Sequence, residues 1–112
     1  MKKATHTTQR DLIASFQALV NVGPAIERDF QALGLREPQD LIGKDPWVLY
    51  CELCQVTNVR QDPCVLDVMM AAVDYMNGAP PQPWWSYTVH RKSKYSDALE
   101  QFSKSISTSS DR

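Results

Sequence analysis

The stretch from Leu19 to Leu35, LVNVGPAIERDFQALGL, constrains this chain more than any other. Upstream of it, Leu12, Ile13, Phe16, Leu19 and Val20 recur at the offsets of one helical face, so the spacing predicts an amphipathic helix ending near Leu19 and Val20. Asn21-Val22-Gly23-Pro24 must then turn sharply. Pro24 suits the first position of a new helix, where its missing N–H would have had no partner. Ile26, Phe30 and Leu33 follow at spacings of four and three, one face of that helix. Gly34 can take the positive φ that ends it, and Leu35 can fold back on the last turn. The stretch reads as helix, tight turn, helix.

This pattern resembles the helix-hairpin-helix motif, with Asn21-Val22-Gly23 standing where the motif carries glycine, an apolar residue and glycine. Asn is the non-glycine residue that best tolerates a left-handed backbone. The resemblance implies that the turn's amides, beside a helix N-terminus, hold a nucleic-acid phosphate, since unpaired N–H groups and the positive helix end both favour an anion. The residues so implied are Asn21, Val22, Gly23, Ala25, Ile26 and Arg28, with help from Arg91 and Lys92. Two positions depart from the motif: Ala25 replaces the lysine that often follows the proline, and Glu27 replaces a small alanine.

The remaining signals are also helical. Thr8 can cap the first helix, with Asp11 near its positive end. Arg36 to Ile42 reads as a short helical turn begun by Pro38 and closed by Gly43. Asp45-Pro46 and Asp62-Pro63 are each a cap followed by a first-position proline. The first opens a helix to about Val56, with Leu49, Leu53 and Val56 on one face beside Tyr50 and Cys54. The second opens a helix to about Asn77. VLDVMMAAVDYM is apolar almost all round, so this helix should be the buried post of the fold. The acids are expected at caps and on exposed faces. Ala79 to Tyr87, APPQPWWSY, predicts an extended strap with at least one of Trp84 and Trp85 packed back on the helices; the functional alternative is a base stacked on one of them. Asp97 and Glu100 have capping-box spacing for a last helix whose apolar face is Ala98, Leu99, Phe102 and Ile106.

From Leu12 to Lys92 the chain resembles the bacterial pathogenicity-locus family of small helix-hairpin-helix proteins, some labelled for mitomycin resistance. The carriers are VNVGPAIERDFQALGL, DLIGKDPWVLYCELC, DPCVLDV and the PPQPWW strap before YTVHRK, in that order and spacing. The resemblance implies an all-helical fold, and the mitomycin label suggests DNA repair or DNA binding.

Charge and chemistry narrow the function. Between Asp11 and Gly78 there are ten acids and four bases (Arg28, Arg36, Lys44 and Arg60), so any phosphate contact must be local or use the basic ends. Cys51, Cys54 and Cys64 with His90 could be imagined around zinc. However, the C-x-x-C pair lies inside a predicted helix and past its N-terminus, which serves neither a zinc knuckle nor a redox thiolate. Buried structural cysteines are the reading adopted. No nucleophile–base constellation or glycine-rich nucleotide loop is present, and no membrane span or signal peptide.

The expectation is therefore an all-α, small helical bundle built on a helix-hairpin-helix motif, with a Pro/Trp strap and a C-terminal helix. A disordered tail covers residues 1–7 and the domain residues 8–92. A short amphipathic helix and disordered C-terminus fill 93–112. The function expected is non-enzymatic, cytoplasmic, weak sequence-independent DNA binding without cofactor or metal, by a homodimer or alongside a partner. The alternative is a protein–protein interaction module in which the hairpin is only structural.

Overall fold

The computed structural model describes residues 15–110, with side chains through residue 105. The expectations for Thr8, Asp11, Leu12, Ile13 and the 1–7 tail lie outside the described residues, as does that for the Ile106 side chain. What is described is all-helical: α1 (Pro24–Ala32), α2 (Pro46–Thr57), α3 (Pro63–Met76) and α4 (Thr88–Ser110), with 3-10 turns at Phe16–Ala18, Pro38–Leu41 and Trp84–Tyr87. The amphipathic helix expected to end near Leu19 and Val20 is corrected: Ser15 is extended (φ −141, ψ 143), Phe16–Ala18 is a three-residue 3-10 turn, and Leu19 is extended again (φ −78, ψ 143), so the chain enters the Asn21–Pro24 turn from a 3-10 turn and not from a helix.

Local chemistry starts α1, α2 and α3 as the sequence predicts. Proline occupies the first turn of α1, α2 and α3. Asp45 and Asp62 cap α2 and α3 by accepting the amides of Trp47 (2.9 Å) and Cys64 (2.8 Å). Gly34 takes φ +86 beyond α1, which lets Leu35 return its amide to the Phe30 carbonyl at 3.0 Å and bury its side chain. A reciprocal cap that the pattern did not announce precedes the Pro38–Leu41 turn. The Asp40 carboxylate accepts the amides of Arg36 (2.8 Å) and Glu37 (3.2 Å), which holds its carboxyl below the usual range.

Helix α3 is the central post, in contact with α2, α4 and the Pro38–Leu41 and Trp84–Tyr87 turns. Leu66, Met69, Met70, Val73 and Met76 are buried along it, each contributing roughly 1.5–3 kcal/mol. Phe30 from α1 and Phe16 close one end, their rings 4.9 Å apart. Trp47 of α2 stacks on Tyr50 (5.9 Å) and Tyr95 (5.4 Å) and meets Phe102 edge-on (6.0 Å), which glues α4 to α2.

Several expectations are corrected. The last helix does not begin at an Asp97 cap. Helix α4 runs unbroken from Thr88, so the 92/93 boundary falls inside it, and it continues through the serine-rich stretch to Ser110. Tyr95 and Leu99 are buried in the common core, so this helix belongs to the body. The strap is not extended to Tyr87, because Trp84–Tyr87 winds into a 3-10 turn ahead of α4. Val56 is 60% exposed rather than part of the α2 core face, which consists of Leu49, Tyr50, Leu53 and Cys54. Asp67, expected on an exposed face, is wholly buried. No described helix is long and apolar enough to cross a membrane.

Candidate functional site

The turn is built by three residues with different tasks. Leu19 leaves the Phe16–Ala18 turn extended and buried. Asn21 adopts φ +74, the left-handed conformation that the motif reading requires of it. Gly23, extended at φ −104 and ψ −169, is the N-cap of α1.

Gly23 has no side chain with which to cap, and Pro24 has no N–H. The first helical bond runs from the Glu27 amide to the Gly23 carbonyl at 3.0 Å. The amides of Gly23, Ala25 and Ile26 therefore donate to no described residue. Helices α2 and α3 show what such a position attracts, since each holds a carboxylate there. The Asp62 carboxyl is held below its ordinary range chiefly by the Cys64 amide. Glu27 in the first turn of α1 is directed elsewhere: its Oε1 accepts the Gln17 side-chain amide at 2.6 Å.

Three of the expected phosphate ligands are otherwise engaged. The Val22 amide donates to the Leu19 carbonyl at 3.2 Å, inside the turn, and its side chain is buried. The Asn21 side chain reaches across to the strap. Its Nδ2 donates to the Gln82 carbonyl (2.8 Å) and its Oδ1 accepts the Trp84 amide (3.2 Å). Arg91 is a correction. Its Nε donates to Asp67 Oδ1 at 2.7 Å and its Nη2 lies 3.4 Å from Oδ2, which also accepts the Thr88 hydroxyl at 2.8 Å. The Arg91 side chain is 11% exposed and its partner 0%, and the Asp67 carboxylate raises the guanidinium's pKa. A cation bound to a buried carboxylate is a structural group. Arg28 remains exposed on α1 beside Asp29, whose carboxyl is pushed up by burial and pulled down by Arg28. Lys92 is exposed on α4. Gly23, Ala25, Ile26 and Arg28 are thus together at the start of α1, while Lys92 sits on a different helix.

Sequence reasoning missed the Asp67–Arg91–Thr88 cluster and the Asn21 bridge. A signal for the first existed: an aspartate inside an otherwise apolar helix demands a buried partner.

The cysteines are free thiols. Cys54 is buried, whereas Cys51 and Cys64 are half-buried rather than fully interior. Burial pushes the Cys51 thiol up to about 11. Cys64 does lie at a helix N-terminus, where a thiolate would be favoured, yet burial and the adjoining Asp62 raise its pKa instead. No group of three or more metal-ligating side chains occurs among the described residues.

The family model described as pathogenicity locus (Cdd1) matches residues 9–93. The chain is 45% identical over 74 residues to a Streptomyces lavendulae protein named mitomycin resistance protein McrB, a match covering 66% of this chain and 70% of that protein. No solved structure matches.

Proposed function

Because the chain belongs to the pathogenicity-locus family, we propose that it is a non-enzymatic protein that binds DNA weakly and without sequence preference. The contact is a backbone phosphate held over the start of α1 by the amides of Gly23, Ala25 and Ile26, with Arg28 one turn along. One observation carries this reading. Of three proline-initiated helices, α2 and α3 close their N-termini with an aspartate carboxylate, and α1 presents a bare glycine there. An oxyanion is the ligand such a position accepts. A similar protein is named for mitomycin resistance, and we read that name as pointing to DNA repair.

Gly23→Asp is the variant that tests it. A side chain at residue 23 meets nothing within 4 Å, and its φ is ordinary for any residue. The introduced carboxylate would supply α1 with the cap that α2 and α3 already have. Fluorescence anisotropy at low salt, on labelled single-stranded, duplex and branched DNA, is expected to show salt-sensitive binding by the wild type. In the variant, binding falls by roughly tenfold or more, the scale of a charge-assisted hydrogen bond, while the fold is unharmed. Unchanged binding by Gly23→Asp would remove the hairpin as the phosphate site.

The protein-interaction reading draws on Val48, Val56 and Val59, large apolar side chains exposed on and just beyond α2. It is favoured if the wild type binds no DNA and retains a protein in pull-downs.

A further inference from the structure

Trp85 is a large aromatic side chain with 63% of its surface exposed, and it sits on a pinned element. On one side of its 3-10 turn, the Ser86 amide (3.0 Å) and hydroxyl (2.8 Å) both donate to the Pro83 carbonyl. On the other, Tyr87 is half-buried and packed against the core. Trp84 is half-buried and packs at 83° to the Trp85 ring, centroids 5.8 Å apart, while most of the Trp85 side chain stays in solvent. A large aromatic held rigidly in water is a binding surface waiting for a flat partner.

Its location decides the partner. The Asn21 side chain bonds the Gln82 carbonyl and the Trp84 amide, so the strap and the phosphate turn are tied together. Trp85 is one residue from that tie and Gly23 is two. At about 3.8 Å per Cα step, both lie within the reach of one short oligonucleotide. We infer that Trp85 stacks on an unpaired base of single-stranded DNA whose backbone phosphate is held at the N-terminus of α1. This rests on the phosphate reading above and adds the substrate class. An unpaired strand offers phosphate and open base faces together, whereas an intact duplex keeps its base faces stacked. Lys92, on the helix that the Trp84–Tyr87 turn leads into, is an exposed cation for the same strand.

The test uses the full chain, a short labelled oligo-dT and a blunt duplex of the same length, with Trp85→Ala, Trp85→Phe and Gly23→Asp. The wild type is expected to prefer oligo-dT. Trp85→Ala is expected to weaken oligo-dT binding by roughly 5- to 150-fold, the range for loss of one stacked base, and to leave duplex binding and the thermal melt unchanged. Trp85→Phe is expected to keep most of the preference. If Trp85→Ala binds oligo-dT like the wild type while Gly23→Asp loses it, the stacking inference falls and the phosphate reading stands. Equal weakening on oligo-dT and duplex also overturns stacking on an unpaired base. If the wild type binds neither DNA, both fall, and Trp85 becomes an anchor for a protein partner instead.

Discussion

Replacing Arg91 with methionine is expected to damage the fold rather than any DNA contact. Methionine keeps much of the aliphatic stem of arginine but cannot donate, so the Asp67 carboxylate, 0% exposed, keeps only the Thr88 hydroxyl. Removing one partner of a buried ion pair costs about 3–5 kcal/mol, because the remaining charge is left uncompensated. A domain of this size has about 5–15 kcal/mol to lose. At roughly 4–8 °C per kcal/mol, the melting temperature falls by on the order of 12–40 °C. The double variant Asp67→Leu, Arg91→Met removes both charges and is expected to be more stable than Arg91→Met alone, since a buried pair replaced by apolar groups is often neutral. Urea unfolding followed by circular dichroism gives all four corners of that cycle. An Arg91→Met protein within about 1 kcal/mol of wild type that had lost DNA binding would refute this account, and would make Arg91 a phosphate ligand after all.

Other expectations follow from the same contacts. Asn21→Ala loses two hydrogen bonds to the strap and places alanine at φ +74, so roughly 2–4 kcal/mol is expected to be lost, with faster amide exchange at Trp84; Asn21→Gly, which relieves the backbone, is expected to lose less. Burial, then the Asp74 hydrogen bond and charge, push the Tyr87 hydroxyl from 10.0 up to about 12. Folding favours its protonated form, so its contribution is complete below pH 10 and is lost as pH rises through about 12; urea melts of Tyr87→Phe are expected to lack that part of the alkaline loss. With the Cys51 thiol raised from 9.0 to about 11, its thiolate is about 100-fold scarcer than an ordinary one below pH 9, and timed iodoacetamide labelling read by mass spectrometry is expected to show slow modification.

Much of the fold was legible because helix boundaries are local. The starts at Pro24, Pro46 and Pro63, the caps at Asp45 and Asp62, and the stop at Gly34 depend on the chemistry of a few adjacent residues. The apolar run of α3 announced the central post in the same way. The start of α4 was not legible. Thr88 to Lys94 is polar and lacks a cap signal, and it becomes helical on packing, with Arg91 tied to Asp67 and Tyr95 stacked on Trp47. The candidate site divided along the same line. The backbone features, left-handed Asn21 and bare Gly23 before Pro24, follow from residue type. The side-chain assignments did not, because a basic run such as HRKSK reads as uniformly solvated until one of its members is rotated inward.

Sequence alone thus determined where α1, α2 and α3 begin, that the described residues are helical, and that α1 starts at a glycine without a side-chain cap. Those features follow from backbone conformations available to proline, glycine and asparagine and from carboxylates a few atoms away. Only the tertiary structure decided which polar groups meet: Asp67 with Arg91, 24 residues apart, and Asn21 with the strap, more than 60 residues away. The physical reason is that a helix's rotation about its axis is set by how every apolar side chain packs at once. A buried carboxylate then takes whichever donor that rotation delivers.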